Sequence, residues 1–344
     1  MRAQPTIAIV GAGYGGLTAL GRILQLLPHA RLLLVEPGEL HVERARLHRA
    51  LRGEPVAWRL EECLPPGVRW IRERAVEVGA HFVRTQNERI PADHVIVAAG
   101  ARPRKAPTPA ISAWDLAGIR RIRRQLRDET RVVVLGGGLT GIEVACAIAT
   151  RFRGKNQVEL RDRGSLLLPN LPASVRTAVE AALEKLHVEV RLGLDEPPPP
   201  NVVAVAATGA DPCAIPGEGA LRVGDADPFN RLRCAQIARL QGQRAAAEVA
   251  RLHGVNVQLP QVEMLGQVID LGAAGATGWV TAGGMQLPLP APAAALGLEA
   301  VAVRHRAFLR TLPFFSGRAE NDAGPGLARS IFERLASPAT GPAP

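Results

Sequence analysis

The sequence predicts a three-layer α/β protein built from two similar units. A short apolar run, a glycine-rich loop, a helical segment and a second apolar run follow one another near the start of the chain. The same succession returns later, with Gly136 placed 125 positions after Gly11. The composition agrees, since 47% hydrophobic and 22% charged residues among 344 are typical of a globular protein with room for two or three domains.

The first unit begins with Ile7–Val10, an apolar run typical of a buried parallel strand. The loop Gly11–Gly16 follows directly, Leu17–Leu27 is predicted to be helical, and Leu32–Val35 is a second apolar run that ends before Glu36. A strand, a helix and a strand within about 30 residues predict a βαβ unit.

The second unit repeats these elements in the same order. Val132–Leu135 predicts the strand, Gly136–Gly141 the loop and Ile142–Thr150 the helix. Val158–Leu160 starts the next strand, and Asp162 lies near its end. The sequence therefore predicts one dinucleotide-binding fold that occurs twice.

Two further segments end in small residues and glycine. His94–Gly100 and Val202–Gly209 each predict the last strand of a sheet, which brings the backbone close to a ligand at Gly100 and Gly209. Later, Leu221–Asp225 predicts a strand that ends in Gly224 and Asp225, followed by a helix over Cys234–Leu252. A Gly-Asp pair is also common in turns, so the pair alone does not indicate a ligand site. Its position after two predicted dinucleotide-binding units is what makes it a candidate.

The glycine spacing of the first loop suits a bound pyrophosphate. Gly11 allows a tight turn, Gly13 lets the phosphates approach the backbone, and Gly16 lets the helix pack closely. The helix N-terminus then offers unpaired N–H groups to the phosphates, and the loop residues Tyr14 and Gly15 are further candidate cofactor-binding residues. Glu36, 25 positions after Gly11, can accept hydrogen bonds from ribose hydroxyls.

The second loop has the same spacing, with Gly136, Gly138 and Gly141, and Asp162 is its acidic residue. An acidic residue here favours NADH, whereas the flanking Arg161 and Arg163 favour the 2′-phosphate of NADPH. We expect NADH to be preferred. A degenerate second unit that binds nothing is the alternative.

Together these segments resemble the pyridine-nucleotide-dependent flavoprotein reductases with two Rossmann-like domains, and within them the type II NADH dehydrogenase-like group. The resemblance extends from residue 5 to about residue 275. The segments that carry it are Ile9–Leu17, Val97–Pro103, Val134–Glu143, Ala206–Gly209, Val223–Asp225 and Ala235–Gly242.

The resemblance implies that the first unit holds FAD and that the second unit, inserted into the first, holds NAD(P)H. It places Glu143 near the nicotinamide and the flavin, and Ala235, Gln236 and Ala238 beside the isoalloxazine on the quinone side. The expected limits are residues 1–108 and 218–275 for the two parts of the FAD domain, 109–217 for the NAD(P)H domain, 276–336 for a small C-terminal region and 337–344 for a disordered tail.

Glu143 and Gln236 are the candidate catalytic residues, because Glu143 could orient the nicotinamide or help proton transfer and Gln236 could hydrogen-bond the flavin or a quinone. The alternatives are a carboxylate favoured by the helix dipole and a solvated helix residue. The predicted activity is electron transfer from NADH through FAD to a quinone or similar small acceptor. A reductase of a protein carrier such as a ferredoxin, and a flavin-binding module without turnover, are the competing hypotheses.

Two features depart from that family. Only Leu186–Asn201 separates the last helix of the second unit from its final strand, and Pro197–Pro200 lies within this segment, so the NAD(P)H domain is predicted to be trimmed. A basic amphipathic helix is predicted over Ala300–Leu312, where membrane attachment and core packing explain the pattern equally well.

Composition narrows the remaining possibilities. The four cysteines, none in a CxxC spacing, predict neither an adjacent redox pair nor a metal site. Aromatic residues are 3%, which argues against a nucleic-acid partner, and the net charge of +10 suits an acidic partner or an arginine-rich solvated surface. We expect a cytoplasmic protein, with homodimerisation and peripheral contact with the cytoplasmic membrane face left open.

Overall fold

The fold is described from a computed structural model that covers residues 4–230 and 233–300. The α-helices are α1 (Tyr14–Leu26), α2 (Leu60–Cys63), α3 (Leu116–Gln125), α4 (Leu139–Phe152), α5 (Ala173–Lys185) and α6 (Ala235–Leu252). Short 3₁₀ helices span Arg44–Arg52, Gly224–Ala226 and Gly272–Ala274. The strands are β1 (Thr6–Val10), β2 (Arg31–Val35), β3 (Leu40–Val42), β4 (Ala57–Arg59), β5 (Arg69–Ile71), β6 (Ala75–Gly79), β7 (Phe82–Thr85), β8 (Arg89–Pro91), β9 (His94–Val97), β10 (Ala101–Pro103), β11 (Ile111–Ser112), β12 (Arg131–Leu135), β13 (Gln157–Asp162), β14 (Val188–Leu192), β15 (Val203–Ala206), β16 (Ala210–Pro212), β17 (Leu221–Arg222), β18 (Gly266–Asp270), β19 (Ala276–Ala282) and β20 (Met285–Pro288).

A five-stranded parallel sheet in the order β17-β9-β1-β2-β5 forms the first unit. Its central strands are apolar because both faces of the sheet are covered. Ile7 and Ile9 face α1 and α6, whereas Ala8 and Val10 face the antiparallel meander β6-β7-β8. Helices, parallel sheet and meander are the three layers of this unit.

A second five-stranded parallel sheet has the order β11-β15-β12-β13-β14. The two orders are equivalent, since β12, β13 and β15 occupy the places of β1, β2 and β9. The predicted α/β class with two parallel, dinucleotide-binding sheets is therefore confirmed. The strands of the second sheet lie between β9 and β17 along the chain.

The positions of two predicted strands differ from expectation. We expected His94–Gly100 and Val202–Gly209 to be the last strands of their sheets, but β9 and β15 are each second from the edge. The edge strands next to them are the two-residue strands β17 and β11, which are too short to produce an apolar periodicity in the sequence.

The connection before β15 contains a strand that was not among the predicted elements. Val188–Leu192 forms β14, which pairs in parallel with β13, and three of its five residues are exposed because it lies at the sheet edge. The predicted trimming holds for the rest of the connection. Residues 193–202 contain no strand, whereas the first unit has the meander β6-β7-β8 at the corresponding place.

The last described segment is a three-stranded antiparallel sheet, β18-β19-β20. It packs on the second unit, where β18 contacts α4 and β19 contacts α5. Residues 291–300 are helical, so the proline-rich stretch after β20 enters a helix directly. Apart from Ala300, the predicted amphipathic helix Ala300–Leu312 lies outside the described residues. Across the two described ranges, no helix is both long and apolar enough to cross a membrane.

Candidate functional site

The first glycine loop turns sharply at the carboxyl end of β1. Gly11 has φ +101°, a backbone conformation that glycine adopts without strain. A Cβ on Gly16 would overlap the carbonyl oxygen of Gly11, so the first turn of α1 lies directly on the loop. The backbone conformation of Gly11 and the close packing of Gly16 explain why the first and third positions of the motif are glycines.

Gly13, the second glycine of the motif, borders open space. A Cβ built there would meet no atom within 4 Å, and Gly13 has φ −77° and ψ −170°, which any residue can adopt. Gly13 is also the N-cap of α1, where no side chain caps the helix and the first turn contains no acidic residue. The loop thus leaves a cradle in front of a positive helix end, which is where a pyrophosphate binds.

Glu36 lies beside this loop, directly after β2. Its carboxylate accepts hydrogen bonds from the N–H of Ala12 at 3.0 Å and from the N–H of Gly38 at 2.8 Å. A carboxylate has about four lone-pair positions, so ribose hydroxyls can still bind to it. Glu36 therefore both holds the loop and suits the ribose of a dinucleotide.

The loop has a further support that the motif did not reveal. His41 is fully buried, and its Nδ1 donates to the carbonyl oxygen of Ala12 at 2.8 Å. Its ring meets Tyr14 edge to face, with 5.6 Å between ring centroids. Burial lowers the pKa of His41 and raises the pKa of Tyr14, so both are neutral. A single histidine in a three-residue strand carries no spacing signal from which this role could be predicted.

The second loop reproduces the first. Gly136 has φ +108°, and a Cβ on Gly141 would overlap the carbonyl oxygen of Gly136. Gly138 is the uncapped N-cap of α4 and has φ −74°, and a Cβ on it would meet no atom within 4 Å. Both predicted loops therefore have the same turn, the same open cradle and the same packing glycine.

Asp162 holds the place of Glu36 in the second unit. It accepts hydrogen bonds from the N–H of Gly137 at 2.5 Å and from the N–H of Gly164 at 2.7 Å. The neighbouring Arg161 is buried and pairs with Glu159 at 2.5 Å, so its charge is already neutralised inside the sheet. Arg163 is exposed, and its nearest carboxylate is 3.8 Å away.

Gly224 and Asp225 follow β17 at the same end of the first sheet. The N–H of Gly224, which has φ +64°, donates to the side chain of Gln241 at 2.6 Å. Burial raises the pKa of the half-buried Asp225, although the positive charges of Arg44 and Arg233 oppose this. Asp225 thus faces cationic groups in a partly dry site.

The start of α6 lies against α1. A Cβ on Gly15 would approach the carbonyl oxygen of Ala238 to 3.1 Å, and a Cβ on Gly242 would overlap the carbonyl oxygen of Gly15. Ala235 is the first residue of α6, and the thiol of Cys234 caps the helix by accepting from the N–H of Ile237. Gly242 is a second packing glycine, which lies outside the glycine motif of the loop.

Gln236 has a structural partner. Its side-chain oxygen accepts from the N–H of Leu265 at 3.2 Å, just before β18. Among the described residues its amide nitrogen makes no hydrogen bond, so it can still donate to a ligand. Gln236 is half-buried, which differs from a fully solvated helix residue.

Gly100 and Gly209 lie at opposite ends of one short antiparallel ribbon. Both have positive φ, +72° and +95°, and each immediately precedes one strand of the antiparallel pair β10-β16. The carbonyl oxygen of Gly100 accepts from the N–H of Cys213, and that of Gly209 accepts from the N–H of Arg104. The two glycine-ended segments of the two units are therefore joined by one short ribbon.

Glu143 lies in the first turns of α4, with 15% of its side chain exposed. Burial raises its pKa, and the charge of His48 opposes this in part. It contacts His48 and the backbone of Asp270 rather than solvent alone. A helix-start carboxylate favoured only by the helix dipole would not have these partners.

The residues present fit two dinucleotides. Each loop has an open cradle at an uncapped helix start, and each has a carboxylate at the end of the next strand. Both loops lie outside the carboxyl ends of parallel strands, at the point where the order of the strands in the sheet reverses. Open α/β sheets bind their ligands at such a point. Dinucleotides such as FAD and NAD(P)H are ligands that this donor set suits.

The sequence profile of the pyridine nucleotide-disulphide oxidoreductase family matches residues 5–195, more than half of the chain, and the chain belongs to this family. FAD and NAD(P)H are typical of this family. The four cysteines, Cys63, Cys146, Cys213 and Cys234, are free thiols.

Two curated relatives are similar over about half of the chain. One is a terpredoxin reductase of a Pseudomonas species, 30% identical over 215 residues, which are 55% of this chain and 49% of the relative. The other is the demethylphylloquinone reductase NdbB of Synechocystis, 24% identical over 213 residues, 53% of this chain and 52% of the relative. The match spans about half the length of these curated relatives.

A solved structure, NDH2 from Plasmodium falciparum in complex with NADH, aligns with a TM-score of 0.68 over 93% of this chain and 100% of that chain. The sequence identity is 12%, so this likeness concerns the fold alone. Ferredoxin reductase structures align with similar TM-scores of 0.65 and 0.66, so the fold does not single out the expected NADH dehydrogenase-like group, and the family is the level that the sequence match supports.

Proposed function

We propose that the protein is an FAD-dependent NAD(P)H oxidoreductase, with FAD in the first unit and NAD(P)H in the second. The observation that carries this proposal is the duplicated site. The same turn, open cradle and strand-end carboxylate occur at Gly11–Gly16 with Glu36 and at Gly136–Gly141 with Asp162. One such site would suit many dinucleotide-binding proteins, but two suit a hydride donor and a flavin.

In this proposal the two loops and helix starts bind the pyrophosphates, and Glu36 and Asp162 bind the adenosine riboses. Asp225, held near Arg44 and Arg233, contacts the flavin ribitol or phosphate. Bound flavin supplies the electron chemistry, while the protein positions the nicotinamide against it. The ribbon β10-β16 links the segments after Gly100 and Gly209 that approach the two ligands. The domain limits given above belong to this proposal.

NADH is the nucleotide that the second site favours. Asp162 would repel the 2′-phosphate of NADPH, and Arg161, which could have offset this, is buried in a pair with Glu159. Arg163 is the remaining cation, and it is exposed. The preference is therefore for the unphosphorylated ribose.

For the electron acceptor we favour a small acidic redox protein. The similarity to a terpredoxin reductase supports this choice, and the net charge of +10 suits an acidic carrier. A quinone is the second candidate. It is supported by the similarity to the demethylphylloquinone reductase and by the amide of Gln236, which can donate to a quinone carbonyl.

Anaerobic rapid mixing tests the proposal. The purified protein should be yellow, and NADH should bleach the flavin faster than NADPH does. Mixing the reduced protein with an acidic iron–sulfur redoxin and, separately, with a short-chain quinone identifies the acceptor, and we expect the redoxin to reoxidise the flavin faster. A yellow protein that neither nucleotide bleaches would be a flavin-binding module without turnover, and a protein that binds no flavin would overturn the proposal.

A further inference from the structure

Three buried titratable side chains from three separate elements meet beside α4. His48 comes from the 3₁₀ helix Arg44–Arg52, Glu143 from α4 and Asp270 from the end of β18. The Nε2 atom of His48 is 3.2 Å from Oδ2 of Asp270, and its Nδ1 atom is 3.4 Å from Oε2 of Glu143. The three side chains are 5%, 4% and 15% exposed in the order His48, Asp270, Glu143.

Asp270 is held as a carboxylate. Burial alone would raise its pKa, but the hydrogen bond and charge of His48, the N–H of Gly272 and the charge of Arg52 outweigh this and hold the pKa well below its usual range. Arg49 also donates to Asp270 at 2.8 Å. An ionised Asp270 only accepts hydrogen bonds, so the Nε2 atom of His48 must carry a proton.

The opposite side of the imidazole then faces a second carboxyl group. With Nε2 protonated, Nδ1 of His48 and Oε2 of Glu143 can approach each other favourably only if one proton lies between them. Burial raises the pKa of Glu143, which favours a protonated pair over two bare acceptors. His48 contacts Glu143 and Asp270, and the other charged or titratable groups around this cluster are Arg49 and Arg52, which donate to Asp270, and Cys146 of α4.

We propose that Asp270 and His48 are positioning residues that hold one proton on the Glu143–His48 pair and so equip Glu143 to exchange protons at the flavin–nicotinamide site. This inference rests on the proposed function. Oxidation of NAD(P)H by two one-electron carriers releases NAD(P)⁺, two reduced carriers and one proton. Glu143 passes its own proton to Nδ1 of His48 as it takes up the released one, and the imidazolium is stabilised by the Asp270 carboxylate until a proton leaves to solvent.

The resting protonation of the pair can be measured without turnover. Side-chain ¹⁵N NMR of the histidine-labelled, FAD-loaded full chain should show His48 with Nε2 protonated and an Nδ1 signal that depends on Glu143. The exposed His29 provides an internal reference, and His48→Gln assigns the signal. Glu143→Gln should change the Nδ1 signal while leaving Nε2 protonated, and Asp270→Asn should let the other tautomer of His48 appear.

Kinetics give the second readout. We expect His48→Gln and Glu143→Gln each to slow reoxidation of the reduced flavin by a redoxin by roughly tenfold, the effect of about 1.4 kcal/mol, and to flatten its pH profile. His94→Gln is the matched control, because His94 pairs with His253 at the amino end of β9, away from the loops. If the ring-nitrogen signals of His48 are unaffected by Glu143→Gln and by Asp270→Asn, the inference is wrong. Failure of NAD(P)H to bleach the flavin would instead overturn the proposed function and leave the NMR result standing.

Discussion

At the scale of single residues, Glu36 and Asp162 combine two tasks. Each carboxylate accepts two backbone N–H groups that shape its own loop, Ala12 and Gly38 for Glu36 and Gly137 and Gly164 for Asp162. An alanine substitution would therefore disturb both the loop and the ribose contact. The amide variants Glu36→Gln and Asp162→Asn keep the size and one acceptor oxygen, so they isolate the charge.

We predict opposite defects for these two variants. Losing a charge-assisted contact costs on the order of 1.5–3 kcal/mol, which is roughly tenfold or more in affinity. Glu36→Gln should lower the flavin content, whereas Asp162→Asn should keep FAD and raise the NADH concentration needed for half-maximal flavin reduction. Flavin absorbance per protein and nucleotide titration measure the two effects. Loss of FAD from Asp162→Asn would contradict the assignment of the units.

At the scale of elements, Asp270 joins three parts of the chain. It lies at the end of β18 and accepts from His48, Arg49 and Arg52 of the 3₁₀ helix, which itself packs on α4. Its pKa is lowered on folding, so its contribution to stability is present above the unfolded pKa of about 3.9 and is lost as the pH falls further. The tie between these elements is therefore predicted to weaken in acid.

Asp270→Asn should lower the free energy of unfolding by about 3–5 kcal/mol at pH 7, because cationic partners would be left buried. The difference from the parent protein should shrink toward pH 3, as seen in denaturant midpoints across pH. Asp211→Asn is the matched control, since its pair with Arg104 is exposed and should contribute less than about 1 kcal/mol. Equal costs at pH 7 and pH 3 would show that Asp270 does not act through its charge.

Elements with long apolar runs were predictable, and short or edge elements were not. The runs at β1, β2, β12 and β13 and the helix start at Cys234 gave correct elements, because buried parallel strands and amphipathic helices leave strong patterns. The helices α1 and α4 begin about one turn earlier than predicted, inside the glycine loops. The edge strand β14 was missed although Val188–Leu192 alternates apolar and charged residues as a strand does, because the whole segment before Val202 was interpreted as a connection.

The site was predictable to a similar degree. Local motifs identified Gly13, Gly138, Glu36 and Asp162, since loop, helix and strand follow one another along the chain. The contacts of His41 with Ala12 and of His48 with Glu143 and Asp270 join distant segments, and no spacing in one sequence reports them.

At the scale of the whole molecule, the net charge of +10 should affect encounter with an acidic carrier. The Debye length falls from about 30 Å at 0.01 M salt to about 10 Å at 0.1 M, so attraction between exposed charges is screened over this range. We predict that kcat/KM for an acidic redoxin falls by roughly tenfold between these salt concentrations. The rate with a neutral quinone should hardly change, and a salt-independent redoxin rate would argue against a protein acceptor.

The central claim is that two equivalent cradles hold two different ligands, and the glycines at their centres test it most directly. Alanine fits the backbone at Gly13 and Gly138 and meets no protein atom within 4 Å, so both variants should fold normally while the methyl group occupies the phosphate position. The measurement is flavin content together with NADH titration of Gly13→Ala and Gly138→Ala. The account predicts that Gly13→Ala loses FAD, whereas Gly138→Ala keeps FAD and needs roughly tenfold or more NADH, at about 1.4 kcal/mol per decade. Full flavin content in Gly13→Ala, or loss of FAD from Gly138→Ala, would contradict it.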